Sequence, residues 1–145
     1  MKKLISTAFA ILLIGAAACA EQADGLAAGI VVPYLYVQLA LANDSTDGVT
    51  DAVGSIATEA EKLGETGSVI SATARALAAA TDVETARAAF GPLSDALIEY
   101  GEEVGFGELK VAYCPMAQKS WVQAGGDILN PFFGSAMLNC GTFTR

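Results

Sequence analysis

Apolar residues recur every three or four positions from about residue 30 to residue 104, which is the pattern of helices that bury one face. The second predicted helix shows it most clearly, because Val49, Val53, Ile56, Ala60 and Leu63 follow at intervals of 4, 3, 4 and 3 residues. The pattern predicts helices at about residues 30–42, 49–63, 68–80 and 81–104. Since the connections are short, the predicted fold is mostly α, an antiparallel up-down four-helix bundle.

The same spacing predicts which positions of the other three helices are buried. They are Leu35, Leu39 and Ala42 with Tyr34, Val37 and Leu41 beside them in the first helix, Val69, Thr73, Ala76 and Ala80 in the third, and Val83, Ala86, Phe90, Leu93, Leu97, Tyr100 and Val104 in the fourth. We interpret these positions as packed core and not as the lining of a cofactor pocket.

Local signals mark where the helices begin, bend and end. Pro33 suits a first turn, where its missing N–H costs nothing. Thr81 and Glu84 match a capping box, in which two side chains satisfy free backbone N–H groups at the start of the fourth helix. Gly64 lies where a C-terminal helix cap belongs, and Pro92 predicts a kink within the fourth helix.

The chain changes character near residue 108. Residues 108–145 hold two of the three cysteines and the only tryptophan. Residues 109–113 are predicted to be extended, residues 120–123 a short strand, Asn130-Pro131 a turn, and residues 137–141 one helical turn ended by Gly141. We therefore expect one domain, residues 27–145, with a helical bundle at about 27–104 and a short-strand segment at about 108–145 that bears Cys and Met residues.

Residues 1–20 have the layout of a secretory signal peptide. Lys2 and Lys3 precede an apolar run at residues 4–15, which is too short for a membrane-spanning helix of about 20 apolar residues. Cleavage after Ala20 removes this segment, whereas a lipobox interpretation makes Cys19 the lipidated N-terminus. We expect an exported, periplasmic protein that touches a membrane only if Cys19 carries a lipid anchor.

The overall charge excludes several classes of partner and reaction. The formal net charge is −8, and the sequence contains no histidine. Such an acidic chain repels nucleic acid and anionic lipid, so no nucleic-acid partner is expected. Without histidine, a Ser-His-Asp or Cys-His hydrolase is excluded and a typical zinc enzyme site is disfavoured. Because the cysteines also lack a C-x-x-C arrangement, we do not expect an enzyme.

Two short motifs contain all the sulfur between residues 21 and 145. Cys114 and Met116 are two residues apart and share one side of an extended chain, whereas Met137 and Cys140 are three apart and share one face of a helical turn. Thiolate and thioether ligands select copper(I) and similar soft ions. If the two motifs meet, they form a soft-metal site.

A disulfide between Cys114 and Cys140 is the alternative that the same residues allow. An even pair of cysteines in an oxidising compartment commonly forms a bridge. The bridge would stabilise the fold by roughly 3 to 4 kcal/mol on the chain-entropy model. In that case the protein is a structural or interaction domain without a metal role.

The C-terminal segment resembles a heavy-metal-associated domain family that is also appended to CusB-type membrane-fusion proteins of copper and silver efflux pumps. The matching residues are Cys114-Pro115-Met116-Ala117, Trp121, Asn130-Pro131-Phe132-Phe133-Gly134, Met137-Leu138 and Cys140-Gly141, with Tyr34, Leu35, Gln38 and Leu41 in the first helix. The resemblance implies periplasmic binding or delivery of a heavy metal, with the Cys and Met residues as candidate ligands. Family members often carry a histidine before the Cys-Pro-Met motif, which this chain lacks, so a site of three or four sulfurs is expected.

The sequence thus predicts a copper(I) chaperone, buffer or efflux accessory, with silver(I) or another soft metal as an alternative cargo. A metal efflux system or another periplasmic metal protein is the expected partner. Trp121 and Tyr113 are candidates for shielding the site, although packing roles are the simpler interpretation of both.

Overall fold

The computed structural model describes residues 25–145, and the predicted signal peptide with Cys19 lies outside that range. Helices α1 (Ala28–Ala42), α2 (Val49–Glu61), α3 (Glu65–Ala78) and α4 (Val83–Val104) come first in the chain. Strands β1 (Lys110–Cys114) and β2 (Lys119–Gln123), a short 3-10 helix (Gly134–Ala136) and strand β3 (Thr142–Phe143) follow. The prediction of a mostly helical chain with a short-strand segment is therefore confirmed.

Consecutive helices pack on one another along the chain. Helix α1 packs on α2, α2 on α3 and α3 on α4, while α4 and α1 both contact strand β2. These contacts join helices that follow one another in the chain, and both the bundle and its up-down arrangement stay predictions. None of the helices within residues 25–145 is long and apolar enough to cross a membrane.

The predicted buried positions are correct for α2 and α4, correct in part for α1, and wrong for α3. In α1, Val37 and Leu41 are buried as predicted, whereas Leu39, which was predicted to be buried, is 47% exposed. In α3, Val69 is 56% exposed, and Ile70 is buried in its place. Almost every position of α1 is apolar and α3 is rich in alanine, so the hydrophobic period alone does not orient either helix.

Three of the predicted helix starts are also shifted, and that of α3 lies at Glu65, three residues earlier than predicted. Helix α1 begins at Ala28, so Pro33 lies in its second turn and not its first, where the carbonyl of Gly29 lacks its usual N–H partner. The capping box of α4 forms one residue later than predicted. The Asp82 carboxylate accepts from the backbone N–H of Thr85 at 2.8 Å, and the Thr85 hydroxyl accepts from the backbone N–H of Asp82 at 3.3 Å.

The three strands form one antiparallel sheet in the order β2-β1-β3. In the β1–β2 hairpin, Cys114 lies opposite Lys119, and Ala112 lies opposite Trp121. Strand β3 was not predicted, because two residues are too short to show an alternating pattern. It pairs with β1 through Ala112–Phe143 and so returns the end of the chain to the strand that carries Cys114.

A row of four aromatic rings joins the helices to the C-terminal segment. Tyr34 stacks on Phe90 at 5.1 Å, Phe90 contacts Phe132 at 5.7 Å, and Phe132 meets the edge of Trp121 at 6.0 Å between ring centroids. The Tyr34 hydroxyl also accepts from the backbone N–H of Val122 at 3.1 Å. Helices and sheet therefore share one continuous hydrophobic core.

Candidate metal centre

The fold brings the two cysteines together. Cys114 is the last residue of β1, and Cys140 lies two residues before β3, which pairs with β1. Their Sγ atoms are 2.8 Å apart. Cys114 is buried and Cys140 is half-buried, so the pair has one inner sulfur and one that is accessible from the surface.

The turn after Cys114 directs backbone N–H groups at its sulfur. Ala117 donates its N–H to Cys114 Sγ at 3.4 Å, in a turn closed by Gln118 at a φ of 53°. Burial raises the pKa of the Cys114 thiol, but hydrogen bonds from the Cys140 thiol and from the N–H groups of Ala117 and Met116 outweigh it. The net result is a Cys114 pKa below its ordinary value, so Cys114 is the first of the two thiols to lose its proton.

Cys140 has the opposite tendency. The hydrogen bond that its thiol donates to Cys114, together with burial, raises the pKa of Cys140 above its ordinary value. The pair therefore loses one proton readily, from the inner sulfur, and holds the second on the accessible sulfur. A cation that binds both sulfurs must displace that second proton.

Asn130 connects the two sides of the site. Its side chain is fully buried, and its Nδ2 donates to the carbonyl of Cys140 at 2.8 Å. Its Oδ1 accepts from the backbone N–H groups of Phe132 at 2.8 Å and Phe133 at 3.3 Å. The amide of Asn130 also lies near enough to the Cys114 sulfur to help lower its pKa. One side chain thus positions Cys140 and supports the thiolate.

An ion pair ties the segment between Asn130 and Cys140 to the helices. Arg87 of α4 donates to Asp44 Oδ1 at 2.6 Å and to the carbonyl of Pro131 at 2.9 Å, while Asp44 Oδ2 accepts from the N–H of Ser135 at 3.1 Å. The hydrogen bonds from Ser135 and Arg87 lower the pKa of Asp44 to about 2. Gly134 lies against both charged groups with a φ of 55°, which favours glycine there.

Of the two predicted shielding residues, only Trp121 lies beside the site. It is fully buried, shares the face of the hairpin with Cys114, and donates its Nε1 to Gln123 Oε1 at 2.9 Å. A Cβ on Gly141 would lie 2.9 Å from the Trp121 ring, so this indole supports the turn that carries Cys140. Tyr113 precedes Cys114 in the strand and therefore points to the other face, where it is 37% exposed, which gives a shielding role no support.

The two methionines lie on the same two turns as the cysteines and are exposed. The Met116 side chain is 66% exposed and the Met137 side chain is 37% exposed. The predicted helical turn at residues 137–141 is wrong, because the short 3-10 helix ends at Ala136 and a turn follows in which Cys140 donates its N–H to the carbonyl of Met137 at 3.0 Å. The methionine backbones thus lie beside the cysteines, whereas their side chains are exposed.

The two sulfurs must separate before both can bind one metal ion. A metal–thiolate bond of about 2.3 Å places two sulfurs about 3.8 Å apart at a tetrahedral angle and about 4.6 Å apart when they are opposite. The separation between Cys114 and Cys140 is 2.8 Å. Within residues 25–145 there is no cluster of three or more His, Cys, Asp or Glu side chains that could hold a metal ion, so methionines would have to complete a larger coordination sphere.

Several residues that position the site escaped prediction. Asn130, which donates to the Cys140 carbonyl, is the first of them, because an Asn before Pro indicates only a turn. The contact of Asp44 with Arg87 and Ser135 is another, because no local pattern links positions so distant in sequence. The placement of Lys119 opposite Cys114 could have been found by pairing the two predicted strands across their short turn.

Comparison of the chain with protein-family models, with curated proteins and with solved structures finds no match.

Proposed function

We propose that this protein binds a soft monovalent metal ion, copper(I) before silver(I), through the thiolates of Cys114 and Cys140, with Met116 and Met137 as additional ligands. The observation that supports it best is the convergence of the two thiols, with Sγ atoms 2.8 Å apart, at a turn whose N–H groups favour a thiolate. Sulfur ligands of this kind select soft ions. The resemblance of the Cys-Pro-Met and Met-Leu-x-Cys-Gly motifs to a heavy-metal-associated family supports the same reading.

Metal entry begins at Cys140. Cys114 is fixed in strand β1 and buried, whereas Cys140 lies on a turn and is half-buried. The 1 to 2 Å separation that a shared ion requires is therefore made by movement of the Cys140 turn. That movement exposes the Cys114 thiolate to the ion and brings Met137, on the same turn, with it.

In this proposal the protein acts in the periplasm as a chaperone, buffer or efflux accessory that passes the metal ion on. It has no catalytic activity of its own. An antiparallel up-down bundle of α1 to α4 is part of this proposal, because it gives the sheet a rigid support. A metal efflux system is the proposed recipient. If Cys19 is lipidated, the protein performs this role while attached to a membrane.

Anaerobic titration with copper(I) against a competing chelator tests the binding function. We expect about one equivalent per chain, loss of tight binding in Cys114→Ser and in Cys140→Ser, and weaker binding in Met116→Leu and Met137→Leu. Zinc(II), which is held by four ligands in structural sites, should compete poorly. Tight binding that survives both cysteine changes would refute the assignment.

A structural disulfide is the second candidate, and the same short distance favours it. The sulfurs at 2.8 Å are close to the bonding distance of about 2.05 Å, so oxidation requires little movement. The protein would then carry no metal. Mass spectrometry of freshly isolated protein separates the two functions, since the disulfide form is about 2 Da lighter than the dithiol. Two free thiols in protein taken from its native compartment would eliminate this candidate.

A further inference from the structure

The charge of the molecule is divided between its two parts. Residues 25–108 carry three basic and thirteen acidic side chains, a net charge of −10. Residues 109–145, which contain the sulfur site, carry three basic side chains and one acidic, a net charge of +2. The net charge of the whole chain therefore does not describe the surface that an incoming metal donor meets.

In the part of the chain that the structure describes, ion pairs leave unpaired cations only in the segment that contains the sulfur site. Four of the six cations within residues 25–145 lie in ion pairs, namely Lys62 with Glu59, Arg75 with Glu61, Arg87 with Asp44, and Arg145 with Glu102. In that part of the chain the two cations outside any ion pair are Lys110 and Lys119, and both are exposed. Both belong to the hairpin that carries Cys114.

The two lysines also share the face of the hairpin on which Cys114 lies. Lys119 is directly opposite Cys114 in the antiparallel register, and Lys110 lies on the same side of β1, four residues earlier. The Lys119 side chain extends across α4 at Gly91, where a Cβ would lie 3.4 Å from its Nζ. Its ammonium group therefore lies over α4, on the side of the hairpin that carries Cys114, and no carboxylate within residues 25–145 forms an ion pair with it.

We propose that Lys110 and Lys119 form an anion-attracting face of the sulfur site, so that the metal arrives as an anionic soft-metal complex and not as a free cation. This inference rests on the proposed metal function. A monovalent ion between two thiolates is an anion of charge −1. The positive field of the two lysines favours both the approach of such a complex and the loaded site, whereas the acidic helices disfavour the approach of an anion elsewhere.

The transfer is a ligand exchange without a change of oxidation state. A donor of formula (RS)2Cu⁻ meets the two thiols, Cys114 and Cys140 sulfur–copper bonds form, and both RS–copper bonds break. The two thiol protons leave with the departing groups as two RSH molecules. The charge is −1 before and after, so the field of Lys119 acts on donor and product alike.

Stopped-flow transfer of copper(I) from two chelates of opposite charge tests the proposal. Disulfonated bathocuproine gives an anionic complex and neocuproine gives a cationic one, and both release copper with loss of a visible absorption band. In Lys110→Gln/Lys119→Gln, transfer from the anionic complex should slow by about tenfold at low salt and the effect should shrink at high salt. Transfer from the cationic complex should not slow.

The matched control is Lys62→Gln/Arg75→Gln, which changes the net charge by the same amount at the end of α2 and in α3. It should alter either rate by less than about twofold. Circular dichroism verifies that each variant is folded. Equal slowing in both double variants, or faster loading of the wild type from the cationic complex, would overturn the anionic route. If direct titration finds no copper(I) binding, the metal function itself fails and this inference with it. If titration succeeds and charge has no effect on the rates, only this inference fails.

Discussion

Replacement of Asn130 by alanine should loosen the turn that presents Cys140 and lower the free energy of unfolding. The amide oxygen accepts from two backbone N–H groups, and the amide nitrogen donates to the Cys140 carbonyl at 2.8 Å. Alanine leaves these three backbone groups without their partner. Each unpaired buried group costs about 1 to 3 kcal/mol, and because water reaches part of this loop we expect a total of about 3 kcal/mol.

Urea unfolding measures this loss directly. With a slope of about 1.5 kcal/mol/M, a change of about 3 kcal/mol moves the unfolding midpoint by about 2 M. Asn139→Ala is the matched control, because Asn139 is exposed and makes one side-chain hydrogen bond, to the carbonyl of Ile128 at 2.8 Å. It should cost less than about 1 kcal/mol. Equal midpoints for the two variants would refute the assignment of Asn130 as the residue that positions Cys140.

Asn130→Asp distinguishes support of the thiolate from support of the fold. The carboxylate keeps the acceptor for Phe132 but removes the donor and places a negative charge near the Cys114 sulfur. The pKa of Cys114 should therefore rise relative to the wild type, since a nearby like charge disfavours the thiolate. Ultraviolet absorbance of the thiolate as a function of pH measures it, and an unchanged titration would mean that the amide does not act on the sulfur.

Three further changes test the packing around the site. Gly134→Ala should destabilise the protein by about 2 to 4 kcal/mol in thermal melts, because its Cβ would overlap Asp44 and because alanine disfavours a φ of 55°. Gly125→Ala is the control and should be nearly neutral, because the space around Gly125 is open. The lowered pKa of Asp44 contributes stability that is present above pH 4 and is lost as the pH falls toward about 2. The free energy of unfolding of Asp44→Asn should therefore depend less on pH between those values than that of the wild type. Tyr34→Phe removes a buried hydroxyl that accepts from the N–H of Val122 at 3.1 Å, and should cost about 1 to 3 kcal/mol in urea unfolding, with little effect on copper(I) stoichiometry. A stable Gly134→Ala protein, an acid transition unaffected by Asp44→Asn, or an unchanged urea midpoint for Tyr34→Phe would contradict the respective argument.

Hydrophobic periodicity predicts the buried face of a helix well where polar residues clearly separate the apolar positions. Helix α2 has the predicted buried face, with Val53 and Ile56 inside, because polar residues separate its apolar positions. Helix α1 has only part of its predicted face, because Val37 and Leu41 are buried but Leu39 is exposed. Its apolar residues surround the whole axis, so the burial of Leu39 depends on what packs against the helix. Sequence alone cannot supply that information, since the partners of α1 include strand β2, far along the chain.

The site could be predicted in part for a similar reason. The sequence singles out Cys114 and Cys140 as the two sulfur residues of the site. Strand β3 brings them together, because it pairs with the strand that carries Cys114. The thiolate-supporting N–H of Ala117 depends on the exact turn geometry, which Gln118 adopts at positive φ. Such a conformation is uncommon for a residue other than glycine and is not readable from residue type. The sulfur residues of the proposed site can be read from the sequence, whereas the difference between the buried sulfur of Cys114 and the more accessible sulfur of Cys140 follows only from the three-dimensional structure.

The hydrogen bonds between α1 and the C-terminal segment have a consequence for how the chain acquires its fold. Gln38 donates to the carbonyl of Leu129, 91 residues away, and the Tyr34 hydroxyl meets Val122, 88 residues away. During synthesis, the first helix is thus made long before its partners exist, and the four helices should collapse early while the sheet assembles last. Contacts between such distant residues slow folding relative to a plain helical bundle. Until the final strand has formed, Cys114 and Cys140 are therefore apart, and both thiols are open to reaction with other molecules.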